Sequence, residues 1–364
     1  MQALCLYAGP LAMRQIARDG LLAQHVRTMA GAAGGPKGLV LGPLDRFLFG
    51  DWLARSEQPL DLVGASIGAW RMATACLNDP ATAFKRLEQD YIRQHYEPPP
   101  GRTRPSPDSV SEAFGASLRA FYGPRAQEVL QHPRYRLHLI AARGRHLLRR
   151  EHALATPLGY LGAFVSNLVL RRAMGAWLER VVFSSRTQVL GTGDTGLPFR
   201  SNDYRTRALA LTMDNFHPAL QASCAIPFML RAVNNIPGAP AGAYWDGGIT
   251  DYHLHLDYAG ASQGLVLYPH FQRAVVPGWL DKRLHWRHKP TRFLATTLLL
   301  APNPEWVRTL PNAKLPDRQD FMHYGRDLAG RVKAWSTCAN ASEQLADEFA
   351  QWLRRPDPAR LRPL

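Results

Sequence analysis

Two short apolar segments of this sequence are each followed by a glycine-rich turn and then by apolar residues at helical spacing. The first segment, 26–30, leads to helical spacing over 37–49. The second, 60–63, leads through residues 64–68 to a helix that ends near Leu77. Strand–turn–helix units of this kind build parallel sheets that helices cover on both faces. The sequence therefore predicts an α/β fold with a mostly parallel central sheet flanked by helices.

The rest of the chain extends this pattern without any internal repeat. Amphipathic spacing predicts helices over 80–96 and 110–122, separated by a proline-rich linker at 98–107. Further strands are predicted at 135–142, 188–191, 208–213, 244–245, 264–268 and 293–300. We interpret residues 1–318 as one α/β domain and residues 319–364 as a helical C-terminal segment, which is expected to fray from Arg354 onward.

The positive charge of the chain is concentrated in one region. The 364 residues include 44 Lys and Arg against 29 Asp and Glu, a formal net charge of +15. Residues 134–180 hold nine arginines and two glutamates, which is nearly half of that excess. Such a balance favours an anionic partner, such as a lipid headgroup surface, a nucleic acid or an acidic substrate.

Within this basic region, residues 144–180 are predicted to form a helical insertion that is apolar in its middle. Arginine pairs mark its edges, at Arg149 and Arg150 and at Arg171 and Arg172. One interpretation is a helical hairpin packed on the core. The other is a cap or docking element whose apolar face enters a bilayer while the arginines meet anionic headgroups. The pattern alone supports both interpretations.

The sequence gives no sign of secretion or of membrane spanning. The first ten residues lack the basic and long apolar regions of a signal peptide. The apolar stretch 153–170 is interrupted by polar residues, Pro and Gly, so no transmembrane helix is expected. The four cysteines are scattered without a CxxC pair, which favours a reducing compartment. We expect a cytoplasmic protein, with peripheral membrane association if the insertion docks.

The glycine-rich turn Gly64-Ala-Ser66-Ile-Gly68 fits the pattern G-x-S-x-G between a strand and a helix. A sharp strand-to-helix turn exposes the serine and leaves no room for side chains on either side of it. The amino end of the following helix favours developing negative charge. Ser66 is therefore a candidate nucleophile, and an ordinary tight turn is the alternative.

The earlier turn, Gly31-Ala-Ala-Gly-Gly-Pro-Lys-Gly38, can direct several backbone N–H groups at one point. An oxyanion requires such convergence. Pro36 cannot donate but suits the first turn of a helix, so the candidate donors are the amides of Gly34 and Gly35. A phosphate-binding loop is the alternative, although the Walker pattern fails because Lys37 precedes Gly38 instead of following a glycine.

A serine nucleophile needs a base, and none of the 13 histidines lies in a recognisable signature. Asp246 stands out because it ends a short apolar segment and is followed by Gly247 and Gly248. A carboxylate with a pKa of about 4 is a poor base in water, so this role would require a desolvated site. The alternative is that Asp246 is an ordinary turn residue.

Four blocks of the sequence together resemble the patatin-like phospholipase family. The segment Ala33-Gly-Gly-Pro-Lys-Gly38 is similar to the family's oxyanion loop, with Ala33 where its first glycine is usual. The turn around Ser66 is similar to its nucleophile elbow, and Ala222-Ser-Cys-Ala-Ile-Pro227 to its A-S-x-A-x-P block. Asp246-Gly-Gly248 resembles its DGG motif, and all four blocks occur in family order.

The resemblance implies a catalytic domain related to α/β-hydrolase-type architecture, with a Ser–Asp dyad and no histidine. Ser66 would attack an acyl carbonyl, Asp246 would act as base, and Gly34 and Gly35 would hold the oxyanion. The implied substrates are acyl esters of phospholipids, lysophospholipids and neutral lipids. A protein of the same fold that only binds lipid or acyl chains is the alternative, as is a thioesterase or acyltransferase that uses the same serine.

No cofactor and no metal is expected. His253 and His255 would share one face of a strand, but no third ligand stands at a recognisable spacing. The run 279–289 mixes tryptophans with basic residues, which suits either nucleic acid or a membrane interface. Because no nucleic-acid fold signature is present, the expected partners are a lipid ester and an anionic membrane surface. The sequence does not indicate an oligomeric state.

Overall fold

The computed structural model describes residues 1–97, 105–185, 196–261 and 264–364. The predicted strand at 188–191 and most of the predicted linker at 98–107 lie outside these ranges. The strands are β1 (Leu4–Ala8), β2 (Val26–Gly31), β3 (Leu60–Ala65), β4 (Tyr135–Gly144), β5 (Leu178–Ser184), β6 (Thr206–Ala210), β7 (Val233–Asn234), β8 (Ala243–Asp246), β9 (Leu265–Pro269), β10 (Thr297–Pro302) and β11 (Leu361–Pro363).

In the described part of the chain these strands form one sheet, in the order β11-β1-β10-β9-β2-β3-β4-β5-β6. Neighbours in this order are parallel except for the pairs β1–β10 and β4–β5. Strand β8 pairs antiparallel with the end of β4, and β7 pairs antiparallel with β8. The predicted α/β fold with a mostly parallel central sheet flanked by helices is confirmed.

Helices pack on both faces of the sheet, because its side chains alternate between two apolar cores. Leu62 of β3 belongs to one core and Val63 to the other. The helices are α1 (Pro10–Asp19), α2 (Gly42–Phe47), α3 (Ile67–Ala75), α4 (Pro80–Arg93), α5 (Pro107–Tyr122), α6 (Ala126–Leu130), α7 (Ala155–Val169), α8 (Met213–Ser223), α9 (Gly248–Asp251), α10 (Pro304–Val307), α11 (Asp320–Tyr324), α12 (Leu328–Ala341) and α13 (Glu343–Arg354).

The two ends of the chain meet at one edge of the sheet, which the sequence did not predict. Strand β1 is fully buried, and its Leu6 lies opposite Leu361 of β11. The expectation that the chain frays from Arg354 is therefore wrong. Strand β11 has only three residues, so its order comes from pairing with β1 and not from a local pattern. Helix α13 contacts β1 and α2, so the C-terminal segment packs directly on the sheet domain.

The predicted insertion at 144–180 is helical for most of its length. It contains α7 and a 3₁₀ helix, Arg171–Ala176, and its last residues enter β5, antiparallel to β4. The inner face of α7 packs on β8, where the rings of Tyr160 and Trp245 lie 6.0 Å apart. Across the described ranges, the structure contains no helix that is both long and apolar enough to cross a membrane.

Strands β2, β3 and β8 bring the predicted site segments to the same end of the sheet, the end where β2 and β3 have their carboxyl termini. Gly31 ends β2 and pairs in register with Gly64 of β3, which Ser66 follows. Asp246 ends β8 and lies opposite Ala141 of β4. The pairing of β3 with β4 ends one residue earlier, at Ile140. Carboxyl ends of parallel strands are the usual location of ligand sites in α/β sheets.

Candidate active site

Ser66 occupies a strained turn between β3 and α3. Its backbone has φ 56° and ψ −129°, a conformation that side chains rarely adopt. Its N–H donates to the carbonyl oxygen of Ser223 at 3.1 Å, and the Ser223 hydroxyl lies at the same distance. Residues held in such conformations cluster at functional sites, because the surrounding contacts must maintain the strain. The geometry fits the nucleophile turn that the G-x-S-x-G pattern predicts.

The carboxylate of Asp246 is aimed at Ser66. The Ser66 hydroxyl donates to Asp246 Oδ2 at 2.7 Å, and the Gly248 N–H donates to Oδ1 at 2.7 Å. The backbone of Asp246 is fixed as well, because its N–H donates to the Ala225 carbonyl at 2.9 Å. The block 222–227 therefore holds both members of the pair, through Ser223 on one side and Ala225 on the other.

This pair is buried, with Ser66 4% exposed and Asp246 6% exposed. Burial raises the pKa of Asp246, although the Arg318 guanidinium and the hydrogen bond from Ser66 oppose the shift. A carboxylate with a raised pKa is a stronger base than one in water. The structure thus provides the desolvated site that a carboxylate base requires.

The backbone amides of Gly34 and Gly35 lie in the loop after β2. Gly35 has φ +58° and begins a 3₁₀ helix, Gly35–Leu41, that contacts α3. Neither amide donates to an acceptor in the described ranges, so both are available to an oxyanion. By contrast, the Ala33 N–H donates to the Tyr252 carbonyl at 3.0 Å. The Ala33 amide thus makes a structural hydrogen bond and is not a free donor.

The histidines singled out in the sequence make structural hydrogen bonds. His253 Nδ1 accepts from the Val276 N–H at 3.0 Å, and His255 Nε2 lies 2.9 Å from the Thr291 hydroxyl. Burial lowers the pKa of His255 to about 4 and also lowers the pKa of His253 well below its ordinary value. In the regions that the structure describes, no group of three or more His, Cys, Asp or Glu side chains is placed to hold a metal.

Three cations near the dyad were not identified from the sequence. Arg318 lies against the loop, since a Cβ on Gly35 would be 3.2 Å from its Nε. The Lys37 ammonium lies 5.2 Å from the centroid of the Phe271 ring, which packs on Gly34. Lys282 Nζ lies 4.2 Å from the centroid of the Tyr252 ring. Because these residues come from three distant segments, no local pattern could have grouped them.

The arginines of the insertion divide into two sets. Arg149, Arg150 and Arg172 are exposed, as a docking role requires. Arg171 is not available to a membrane, because it pairs with the buried Asp281 at 3.1 Å and donates to the Thr250 carbonyl. The expectation that all four arginines meet headgroups is therefore wrong for Arg171.

The buried Arg180 fixes the turn that follows Asp246. Arg180 donates to both carboxylate oxygens of Asp251 in α9, at 2.6 and 2.7 Å. It also pairs with Asp203 at 3.0 Å. Much of the local positive charge thus stabilises the fold around the site and does not face solvent.

The sequence matches no model of a known protein family, and no curated protein matches it significantly.

The raised pKa of Asp246 predicts a pH-dependent effect on stability. A carboxyl group whose pKa is higher in the folded than in the unfolded state stabilises the fold at low pH. This contribution is lost as pH rises from about 4 through the folded-state value. Asp246→Asn should therefore become more stable relative to wild type as pH rises. Denaturant unfolding of both proteins from pH 3.5 to 8 measures this difference, and a constant or decreasing difference would contradict the assignment.

Proposed function

We propose that this protein is a serine acyl hydrolase that cleaves lipid acyl esters through Ser66 and Asp246. The observation that carries the proposal is the 2.7 Å hydrogen bond from the Ser66 hydroxyl to the buried Asp246 carboxylate. A nucleophile and its base within hydrogen-bond reach are the signature of covalent acyl transfer. A protein that only bound acyl chains would not need a carboxylate aimed at a strained serine.

In the proposed reaction, Asp246 accepts the hydroxyl proton while Ser66 Oγ attacks the acyl carbonyl carbon. The amides of Gly34 and Gly35 donate to the oxyanion of the tetrahedral intermediate. Collapse of this intermediate breaks the ester bond, and the proton on Asp246 passes to the leaving alcohol. Water then attacks the acyl-serine with Asp246 again as base, which releases the fatty acid and restores Ser66.

The choice of lipid esters rests on the resemblance to patatin-like phospholipases. It is supported by the contacts between three of the motifs: Ser66 and Asp246, 180 residues apart, are bonded to each other, and both are bonded to the block 222–227. The activity that fits is that of a phospholipase A, lysophospholipase or lipid esterase. A thioesterase or acyltransferase would use the same acyl-serine with a different leaving group or acceptor.

Substitution of each dyad member tests the proposal. Ser66→Ala should lower kcat on medium-chain p-nitrophenyl esters by at least about 10³-fold, because the nucleophile is removed. Asp246→Asn should lower it by about 10²- to 10⁴-fold, the usual contribution of a general base. An asparagine can still accept from Gly248 N–H and donate to Ser66, so both variants should fold. Retention of most activity in folded Asp246→Asn would contradict the dyad.

The surface around the insertion supports a membrane-associated substrate. The outer face of α7 exposes apolar side chains at helical spacing, which we call the apolar face: Leu154, Leu158, Leu161, Val165 and Val169. Leu154 is 73% and Val169 84% exposed, and large exposed apolar patches usually mark interaction sites.

Two neighbouring segments add exposed aromatic side chains around α7. Exposed Phe228 lies against the inner face of α7, with its ring 5.9 Å from that of Tyr160. Exposed Trp286 is anchored next to it, because Arg287 donates to the Leu168 carbonyl at 3.3 Å. Amphipathic aromatic residues of this kind sit at the boundary between water and lipid.

The occupant that fits this surface is an anionic bilayer. Arg149 and Arg150 precede α7 and Arg172 follows it, and all three are exposed. Apolar side chains flanked by cations bind interfaces that carry negative headgroups. We propose a cytoplasmic protein that associates peripherally through the apolar face of α7. The inner face of the same helix packs on β8, the strand that carries Asp246.

Charge reversal tests the docking surface. The triple variant Arg149→Glu, Arg150→Glu, Arg172→Glu should bind phosphatidylserine-containing vesicles at least about tenfold more weakly, because each basic residue near the membrane contributes about 1 kcal/mol. The matched control reverses Arg14, Arg354 and Arg355, which are exposed elsewhere. Vesicle sedimentation at several salt concentrations measures binding. Equal weakening by both triple variants would contradict this surface.

A further inference from the structure

Lys37, Lys282 and Arg318 place three positive charges around the dyad. Arg318 covers Gly35, whose amide is a candidate oxyanion donor. Lys37 follows that glycine by two residues, and its ammonium rests on Phe271. Lys282 Nζ lies over the ring of Tyr252. A Cβ on Gly248 would lie 3.4 Å from Tyr252 Cδ2, and the Gly248 N–H donates to Asp246 Oδ1. The three side chains therefore approach the site from the oxyanion loop, the segment after β9 and the segment before α11.

None of these cations forms an ion pair with a carboxylate of the described chain. Asp317, the acidic residue beside Arg318, is paired with Lys314 at 2.7 Å. The other carboxylate near the group is Asp246, which already accepts from Ser66 and Gly248. Lys282 and Arg318 are exposed and Lys37 is half-buried, so all three remain accessible to a ligand, whereas the buried Arg180 is paired with Asp251.

The titration of the lysines is consistent with positive charges held close together. Burial, followed by repulsion from Arg318 and Lys37, lowers the pKa of Lys282 to about 8. Burial also lowers the pKa of Lys37, with Lys314 and Arg318 adding to the effect and Asp317 opposing it. A bound anion would relieve this repulsion and would be held most tightly by the protonated forms.

We propose that Lys37, Lys282 and Arg318 bind a phosphoryl group carried by the substrate close to its scissile ester. This inference rests on the proposed function, because the ester must reach Ser66 while the phosphoryl group occupies the cations. Guanidinium and ammonium groups together suit a phosphoryl group, since the arginine offers a planar pair of donors and the lysines offer point charges. The substrate class is therefore a phosphorylated acyl ester and not a neutral one.

The test compares two esters that differ in the phosphoryl group alone. Monoacylglycerol and lysophosphatidic acid of the same acyl chain are presented in neutral detergent micelles, which removes any effect of an anionic bilayer. Lys282→Gln and Arg318→Gln should each lower kcat/KM on lysophosphatidic acid by about tenfold or more, the usual effect of losing a charge-assisted hydrogen bond. Losses that both esters share report on the common chemistry, so the readout is the ratio of kcat/KM on lysophosphatidic acid to that on monoacylglycerol, which should fall about tenfold in each variant.

The matched control is Lys289→Gln, which removes one exposed positive charge from the same run as Lys282. It should leave both esters unaffected within about twofold, as expected for a screened surface charge. Equal losses on both esters in Lys282→Gln and Arg318→Gln would overturn the proposal. Such a result would mean that the cations act by keeping Asp246 ionised and not by binding substrate.

A binding measurement separates this proposal from the hydrolase assignment. Calorimetric titration of the Ser66→Ala protein with lysophosphatidic acid, glycerol 3-phosphate and inorganic phosphate requires no turnover. Tighter binding of lysophosphatidic acid than of either small anion, lost with added Arg318→Gln, supports the subsite even if the wild-type protein hydrolyses no ester. Equal affinity for all three, or affinity that Arg318→Gln leaves unchanged, would overturn it.

Discussion

The site depends on one close backbone approach between the nucleophile helix and the oxyanion loop. A Cβ on Gly68, at the start of α3, would lie 1.8 Å from the carbonyl oxygen of Gly31. Only glycine allows this separation, so it fixes how Ser66 faces the loop that carries Gly34. A buried bidentate pair joins α3 to α2, the helix that follows this loop, with Arg71 of α3 bound to Asp45 of α2 at 2.6 and 2.7 Å. Loss of one partner of such a pair leaves an uncompensated buried charge.

The carboxylate proposed as the base, that of Asp246, is held from two sides. The block 222–227 bonds both Ser66 and the backbone of Asp246, while Arg180 fixes α9 just after Asp246 through Asp251. The insertion adds a third contact, because Tyr160 of α7 packs on Trp245 beside Asp246. The helix that presents the apolar face to solvent thus also packs on the strand that carries Asp246, so the proposed docking surface and the proposed dyad share this contact.

The features that the sequence predicted are those that glycine patterns and short-range periodicity encode. Strand–turn–helix units predicted the fold class. The turns around Gly34, Ser66 and Asp246, together with the family resemblance, predicted the residues of the proposed dyad and oxyanion donors. Contacts between distant segments were missed, because no local pattern records them. The pairing of β1 with β11 and the grouping of Lys282 with Arg318 are of this kind. The same limit made Arg171 resemble a surface cation, since Asp281, its partner, is 110 residues away.

The central claim is that Ser66 is a nucleophile activated by Asp246, and covalent labelling tests it most directly. The protein is treated with a fluorophosphonate, and peptide mass spectrometry identifies the modified residue and the rate of its modification. Ser66 should be labelled in wild type, and at least about 10²-fold more slowly in Asp246→Asn, because its hydroxyl then loses the base. Labelling at another serine, or at Ser66 with an equal rate in both proteins, would contradict the claim.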